Sequence, residues 1–264
     1  SDGGDISIPA TFDSNGDYVS GSILEHCNIK YAGAYGSVVY GATYINYCSF
    51  SNNDANVEAQ FISSDSPNVY AHVKITNSEF IQNNSSRTIR SARNATISGN
   101  SFTDTGYVQI SAENTTTTNN VFTNIDASNG NHGAIYANLD DGNHLISNNL
   151  IKNTTGSGIH AWVTMQPTAN VTITNNTIIG NSQYGIKIHY TMPGESPNSI
   201  FNITNNNIVD NDRGGIYIAH GWITINARYN KIHNNNTTQP TYNGTAITAW
   251  GNKTTIEYNT ITGG

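Results

Sequence analysis

One four-residue pattern returns ten times along this chain, and it restricts the fold more than any other feature. It begins as His26-Cys27-Asn28-Ile29 and Tyr47-Cys48-Ser49-Phe50, becomes Gly99-Asn100-Ser101-Phe102 and Asn175-Asn176-Thr177-Ile178, and ends as Tyr258-Asn259-Thr260-Ile261. Its anchor column reads Cys27, Cys48, Ser78, Asn100, Asn120, Asn149, Asn176, Asn206, Asn230, Asn259, with a mean spacing of about 26 residues. A period of roughly 20 to 50 residues marks a repeat architecture, and three short strands with three turns fit a number in that range. Asparagines held in one phase stack, so that each amide satisfies turn groups that would otherwise be buried without a partner. Replacing a ladder residue such as Asn176 should therefore cost far more stability than replacing Asn181, which lies outside the column.

Each anchor is followed two places on by Ile or Phe, and an alternating segment such as Val171-Thr172-Ile173-Thr174 precedes it. Period-two alternation turns one side chain inward and the next outward. A third strand follows a glycine in the later coils, as in Gly158-Ile159-His160-Ala161-Trp162 and Gly185-Ile186-Lys187-Ile188-His189. With 36% hydrophobic and 11% charged residues, the chain suits short strands between polar turns better than a thick globular core. The expected fold is all-β: a right-handed parallel β-helix, a solenoid of about ten coils with an asparagine ladder.

These repeats resemble the pectin-lyase-like superfamily of parallel β-helix proteins over nearly the whole chain. In texture they are also similar to archaeal cell-surface β-helix proteins such as the disaggregatases. Residues 1–264 read as one domain. No capping helix precedes Ile23, and the sequence stops just after a ladder coil, so either it continues in a longer protein or its uncapped ends self-associate.

Cys27 and Cys48 share one phase of adjacent coils. Either a disulfide joins them, since strand spacing brings them within bridging range, or they are stacked thiols that end the ladder. The net charge of −7 argues against nucleic acid as a partner, and no apolar run is long enough for membrane insertion. A chain this poor in charge and dense in Asn-x-Ser/Thr sequons, such as those at Asn114 and Asn170, reads as secreted or cell-surface.

On the third strand, Val57, Ile89, Val108, Ile135, Ile159, Ile186, Ile216 and Ile247 should face inward. The next residue in each coil then faces out, giving Arg90, Gln109, Tyr136, His160, Lys187 and Tyr217, with Asn138, Trp162, His189 and Trp250 in the neighbouring outward column. Elsewhere the exposed strand faces are Thr, Ser and Asn, so a concentration of rings and cations here marks this face. Pyranose faces stack on rings and hydroxyls take polar partners, so a row at one-strand spacing suits a linear sugar polymer. The superfamily resemblance also implies a polysaccharide groove on this sheet. The bland alternative is decoration of the sheet, or packing under long turn loops.

Arg87, Arg90 and Arg93 put three of the 11 Lys and Arg in one coil, a seat for a sugar carboxylate or sulfate. Glu113 aligns with Asp140, with Asp141 beside it. These carboxylates would supply an acid and a base, or chelate calcium as the only cofactor suggested, or remain solvated turn acids. Asp140-Asp141 resembles the paired aspartates of polygalacturonases, without that family's companion Asp and His motifs.

Two functions follow. The first is an extracellular enzyme, lyase or glycoside hydrolase, cutting an acidic polysaccharide. In a lyase, Lys187, His160 or Tyr136 would remove the proton α to the uronate carboxyl while Arg90 or calcium neutralises that carboxyl. The second is a noncatalytic sheath or adhesin segment whose aromatic row binds glycan or only decorates a scaffold.

Overall fold

The computed structural model describes residues 6–7, 10–13, 17–32, 37–40, 43–54, 56–59, 72–83, 87–91, 94–112, 114–128, 132–139, 142–163, 168–190, 199–219, 223–235, 246–250 and 253–263. They form three parallel sheets of ten strands each and a small antiparallel hairpin. The first sheet takes the short strands after each anchor, from Asn28–Lys30 to Thr260–Thr262. The second takes those before it, from Ile23–Glu25 to Lys253–Glu257. The third runs from Ile6–Ser7 to Ile247–Ala249.

The corner between the second and first sheets explains the repeat. The residue before each anchor adopts the left-handed conformation, with φ from 50° to 58° from His26 through Tyr258 and 70° at Gly99. Asn and Gly tolerate that region best, which is why they recur there. The anchor then turns inward. The backbone N–H of Asn176 donates to Oδ1 of Asn206 at 3.0 Å, and its Nδ2 donates both to that oxygen and to the Ile146 carbonyl, each at 3.0 Å. The same arrangement links Asn100, Asn120, Asn149, Asn206, Asn230 and Asn259.

Cys27 and Cys48 continue this series as free thiols. The Cys27 N–H donates to Sγ of Cys48 at 3.4 Å, and the Cys48 N–H donates to Oγ of Ser78 at 3.0 Å, so sulfur occupies the place of the amide oxygen.

A second ladder stands five residues after the first. Asn53, Asn83, Asn181, Asn211 and Asn235 are buried, and the Asn181 N–H donates to Oδ1 of Asn211 at 3.1 Å. The expectation that replacing Asn181 costs far less than replacing Asn176 is therefore wrong. Its column is broken by Thr105, Ile125 and Thr154, which hides it in the sequence, but the physical demand at its turn is the same.

Inside, the first-sheet positions stack like with like. Phe50, Phe80, Phe102 and Phe122 lie ring on ring with centroids 4.7 to 4.9 Å apart and planes within 8°. Isolated aromatic pairs prefer offset or edge-on contacts, so the strand spacing imposes this geometry and burial stabilises it. Gly185, second in the third-sheet strand Tyr184–Tyr190, has no room for a side chain, because a Cβ there would fall 2.3 Å from the Ile208 methyl of the next coil.

The hairpin of Ala10–Phe12 and Tyr18–Gly21 lies over the outer face of the second sheet. Phe12 packs on His72 with centroids 4.7 Å apart, Tyr18 meets Tyr44 at 5.5 Å, and Asp17 approaches Lys74 at 4.0 Å. His72 is 4% exposed, and burial, aided by the Lys74 charge, pushes its pKa down to about 4.

Candidate functional site

The third sheet pairs Val57, Ile89, Val108, Ile135, Ile159, Ile186, Ile216 and Ile247 rung by rung, and Ile89, Val108, Ile135, Ile159, Ile186 and Ile216 are buried. The residues one step on therefore share the outer face: Arg90 beside Gln109, then Tyr136, His160, Lys187 and Tyr217. Asn138, Trp162 and His189 form the neighbouring column, and Trp250, 59% exposed, follows the last strand of the sheet.

The rings on this face touch one another across consecutive coils. Tyr107 meets His132 at 4.7 Å, His132 meets Tyr136 at 4.1 Å, and Tyr136 meets His160 edge-on at 5.3 Å. The string continues through Trp162, 5.9 Å from His160, to His189, which meets Trp162 edge-on at 4.6 Å. Tyr107 and His132 extend the row beyond the residues legible in the sequence, because both precede the alternating part of their strands.

His160 is the principal correction. It was expected to point into solvent, yet it is 1% exposed. It does leave the core side of the sheet, but Tyr136, Trp162, His132 and His189 surround its ring. A crowded outer face can bury a side chain as completely as a core, and alternation alone cannot reveal that.

Beyond His189 the face opens into a cleft of about 240 Å³ lined by Gln183, Tyr184, Lys187, His189, Arg213 and Tyr217, with Ala219 at its edge. Tyr184 stacks on Tyr217 with centroids 4.6 Å apart and planes 18° from parallel, making one wall. Arg213 is set by its own backbone, whose N–H donates to the Gln183 carbonyl at 3.0 Å. Burial, and next the charge of Arg213, hold the Lys187 ammonium below the usual lysine range. Burial pushes the Tyr107 and Tyr136 phenols up, and holds His132 below the ordinary histidine value with help from the Arg87 and Lys187 charges. At the other end of the row, Nη1 of Arg87 donates to Oε1 of Gln109 at 3.1 Å.

Arg93, Glu113, Asp140 and Asp141 lie outside the described residues, so the acid pair and its calcium alternative have no geometry here. Among the described residues, no group of three His, Cys, Asp or Glu side chains is placed to hold a metal ion. Sequence reasoning missed Tyr184 and Arg213. Tyr184 is the first residue of the strand Tyr184–Tyr190, where alternation counted back from Ile186 would turn it inward, and Arg213 stands in the turn just before Gly214, where no period-two rule applies.

A family model for the right-handed β-helix region matches residues 14–169 and 162–261. No curated protein and no solved structure matches the chain.

Proposed function

This chain belongs to the right-handed β-helix family, and we propose that its third sheet binds and cuts an acidic polysaccharide outside the cell. The observation that carries this reading is the unbroken string of rings from Tyr107 to His189, which crosses successive coils and leads into the cleft at Lys187. A glycan lying across the strands meets a platform at each rung.

The three candidate bases are not equal. Burial raises Tyr136, which weakens it as a base near neutral pH, and His160 is enclosed. Lys187 is shifted the useful way, lines the cleft, and can take a proton as the free amine. The reaction is then β-elimination. Nζ of Lys187 takes the proton α to the uronate carboxyl, that electron pair forms the new carbon–carbon double bond, the bond to the glycosidic oxygen breaks, and the departing oxygen takes a proton from water.

The test is the purified protein on uronate-containing and neutral glycans, followed by the absorbance of the unsaturated product and by reducing ends. Both signals should rise together on the uronate glycan, and Lys187→Ala should abolish them without moving the melting temperature. Reducing ends without unsaturated product would replace elimination by hydrolysis. Binding with neither signal would leave a noncatalytic glycan-binding scaffold.

A further inference from the structure

We propose that Arg213 is the specificity-determining residue of the cleft, where it receives the carboxylate of one uronic-acid unit while the Tyr184–Tyr217 stack walls the sugar in. The inference rests on the groove reading above and adds to it a charge requirement at one position.

Three observations carry it. Arg213 and Lys187 come from adjacent coils and line the same cleft, and among the described residues no carboxylate forms an ion pair with either. On the second sheet, by contrast, Arg228 meets Glu257 at 3.2 Å and Lys74 meets Asp17. Two cations on one wall repel each other, an arrangement that an arriving anion relieves. Second, the cleft is small and one-sided: a volume of about 240 Å³ suits a single sugar unit rather than a run of them, and its wall is a rigid pair of stacked rings. Third, a backbone hydrogen bond from Arg213 to the Gln183 carbonyl fixes the base of the side chain at the cleft that it lines. A planar guanidinium matches a carboxylate through two parallel hydrogen bonds, a geometry a lysine cannot reproduce.

The position of Arg213 beside Lys187 gives it a second effect, since its charge adds to burial in disfavouring the protonated lysine. Loss of Arg213 should therefore move the acid limb of turnover to higher pH, because the base regains its proton more readily.

The experiment measures binding of oligogalacturonate, its methyl ester, a sulfated galactan oligomer and a neutral galactan oligomer to the parent chain, Arg213→Gln, Arg213→Lys and the surface control Lys253→Ala. Removing one charge-assisted contact should weaken oligogalacturonate by about tenfold or more and leave the methyl ester within about twofold. Arg213→Lys should recover only part of the loss. A pH profile of the unsaturated product should shift to the alkaline side in Arg213→Gln, which a merely structural role would not produce, and unchanged melting temperatures show that the variants fold. Equal losses on acid and ester, or no loss on either, would overturn the inference and leave the groove reading standing. Preference for the sulfated oligomer over oligogalacturonate would replace the carboxylate by a sulfate and overturn the uronate assignment. A parent chain that binds none of the four would overturn both.

Discussion

Asn176 and Asn181 are five residues apart and both are buried, at 1% and 0% exposure, each with its amide bonded into the next coil. Alanine at either position leaves buried turn groups without a hydrogen bond, so each variant should lose on the order of 1 to 3 kcal/mol in denaturant unfolding. A solvent-facing ladder neighbour such as Asn175 is the proper control for its side chain, although its left-handed φ of 57° makes Asn175→Gly the cleaner change. For Cys27 and Cys48 the expected result is two thiols by titration of the unfolded, unreduced protein and a melting temperature indifferent to reductant. Cys48 should react slowly in the native state, because burial pushes its thiol up and the thiolate is the reactive form. His160→Ala, by contrast with Lys187→Ala, should lower stability, since it opens a void among four rings.

At the level of elements, the hairpin over the second sheet carries a pH dependence. His72 keeps a pKa of about 4 under Phe12, below the value of about 6.5 it has when unfolded or undocked. Above pH 6.5 both states are neutral and the contact is at full strength. As pH falls toward 4 the undocked histidine binds a proton that the docked one refuses, so stability declines through that window by up to about 3 kcal/mol and levels off below it. Asp13 and Asp17 face the ring and partly oppose the decline, while Lys74 adds to it. His72→Gln should flatten the pH dependence of unfolding between 6.5 and 4, and Phe12→Ala should bring the histidine titration, followed by NMR, back toward 6.5. The glycine at the second position of the strand Tyr184–Tyr190 is a second test of element packing. Gly185→Ala places a methyl 2.3 Å from Ile208 and 2.9 Å from the Gly215 carbonyl, both in the next coil, and should cost on the order of 1 to 3 kcal/mol in thermal unfolding.

Across the whole molecule, the stacking of coils converts a one-residue choice into a linear surface. From the strand Tyr107–Ala112 to the strand Gly214–Ala219 the row crosses five strands of the third sheet, a span of about 19 Å at the parallel-strand spacing. Affinity for an acidic oligosaccharide should thus rise with its length and level off once it covers the row, which calorimetry on a length series would show. Trp162→Ala should weaken long oligomers by removing a platform in the middle, whereas Arg213→Gln should weaken acidic oligomers of every length. The sequence alone determined the solenoid, the anchor ladder and which residues share the outer face of the third sheet, because parallel stacking at a fixed period leaves one register and strict alternation leaves one parity. It did not reveal the second ladder, whose column is interrupted by Thr105, Ile125 and Thr154, nor that rings from three coils would close over His160. Nor did it bring Tyr184 and Arg213 to the cleft, since one sits at the first position of its strand and the other in a turn. Periodicity fixes directions along a strand, but enclosure and the meeting of turn residues depend on how side chains from different coils fill the same space, and only the tertiary structure decides that.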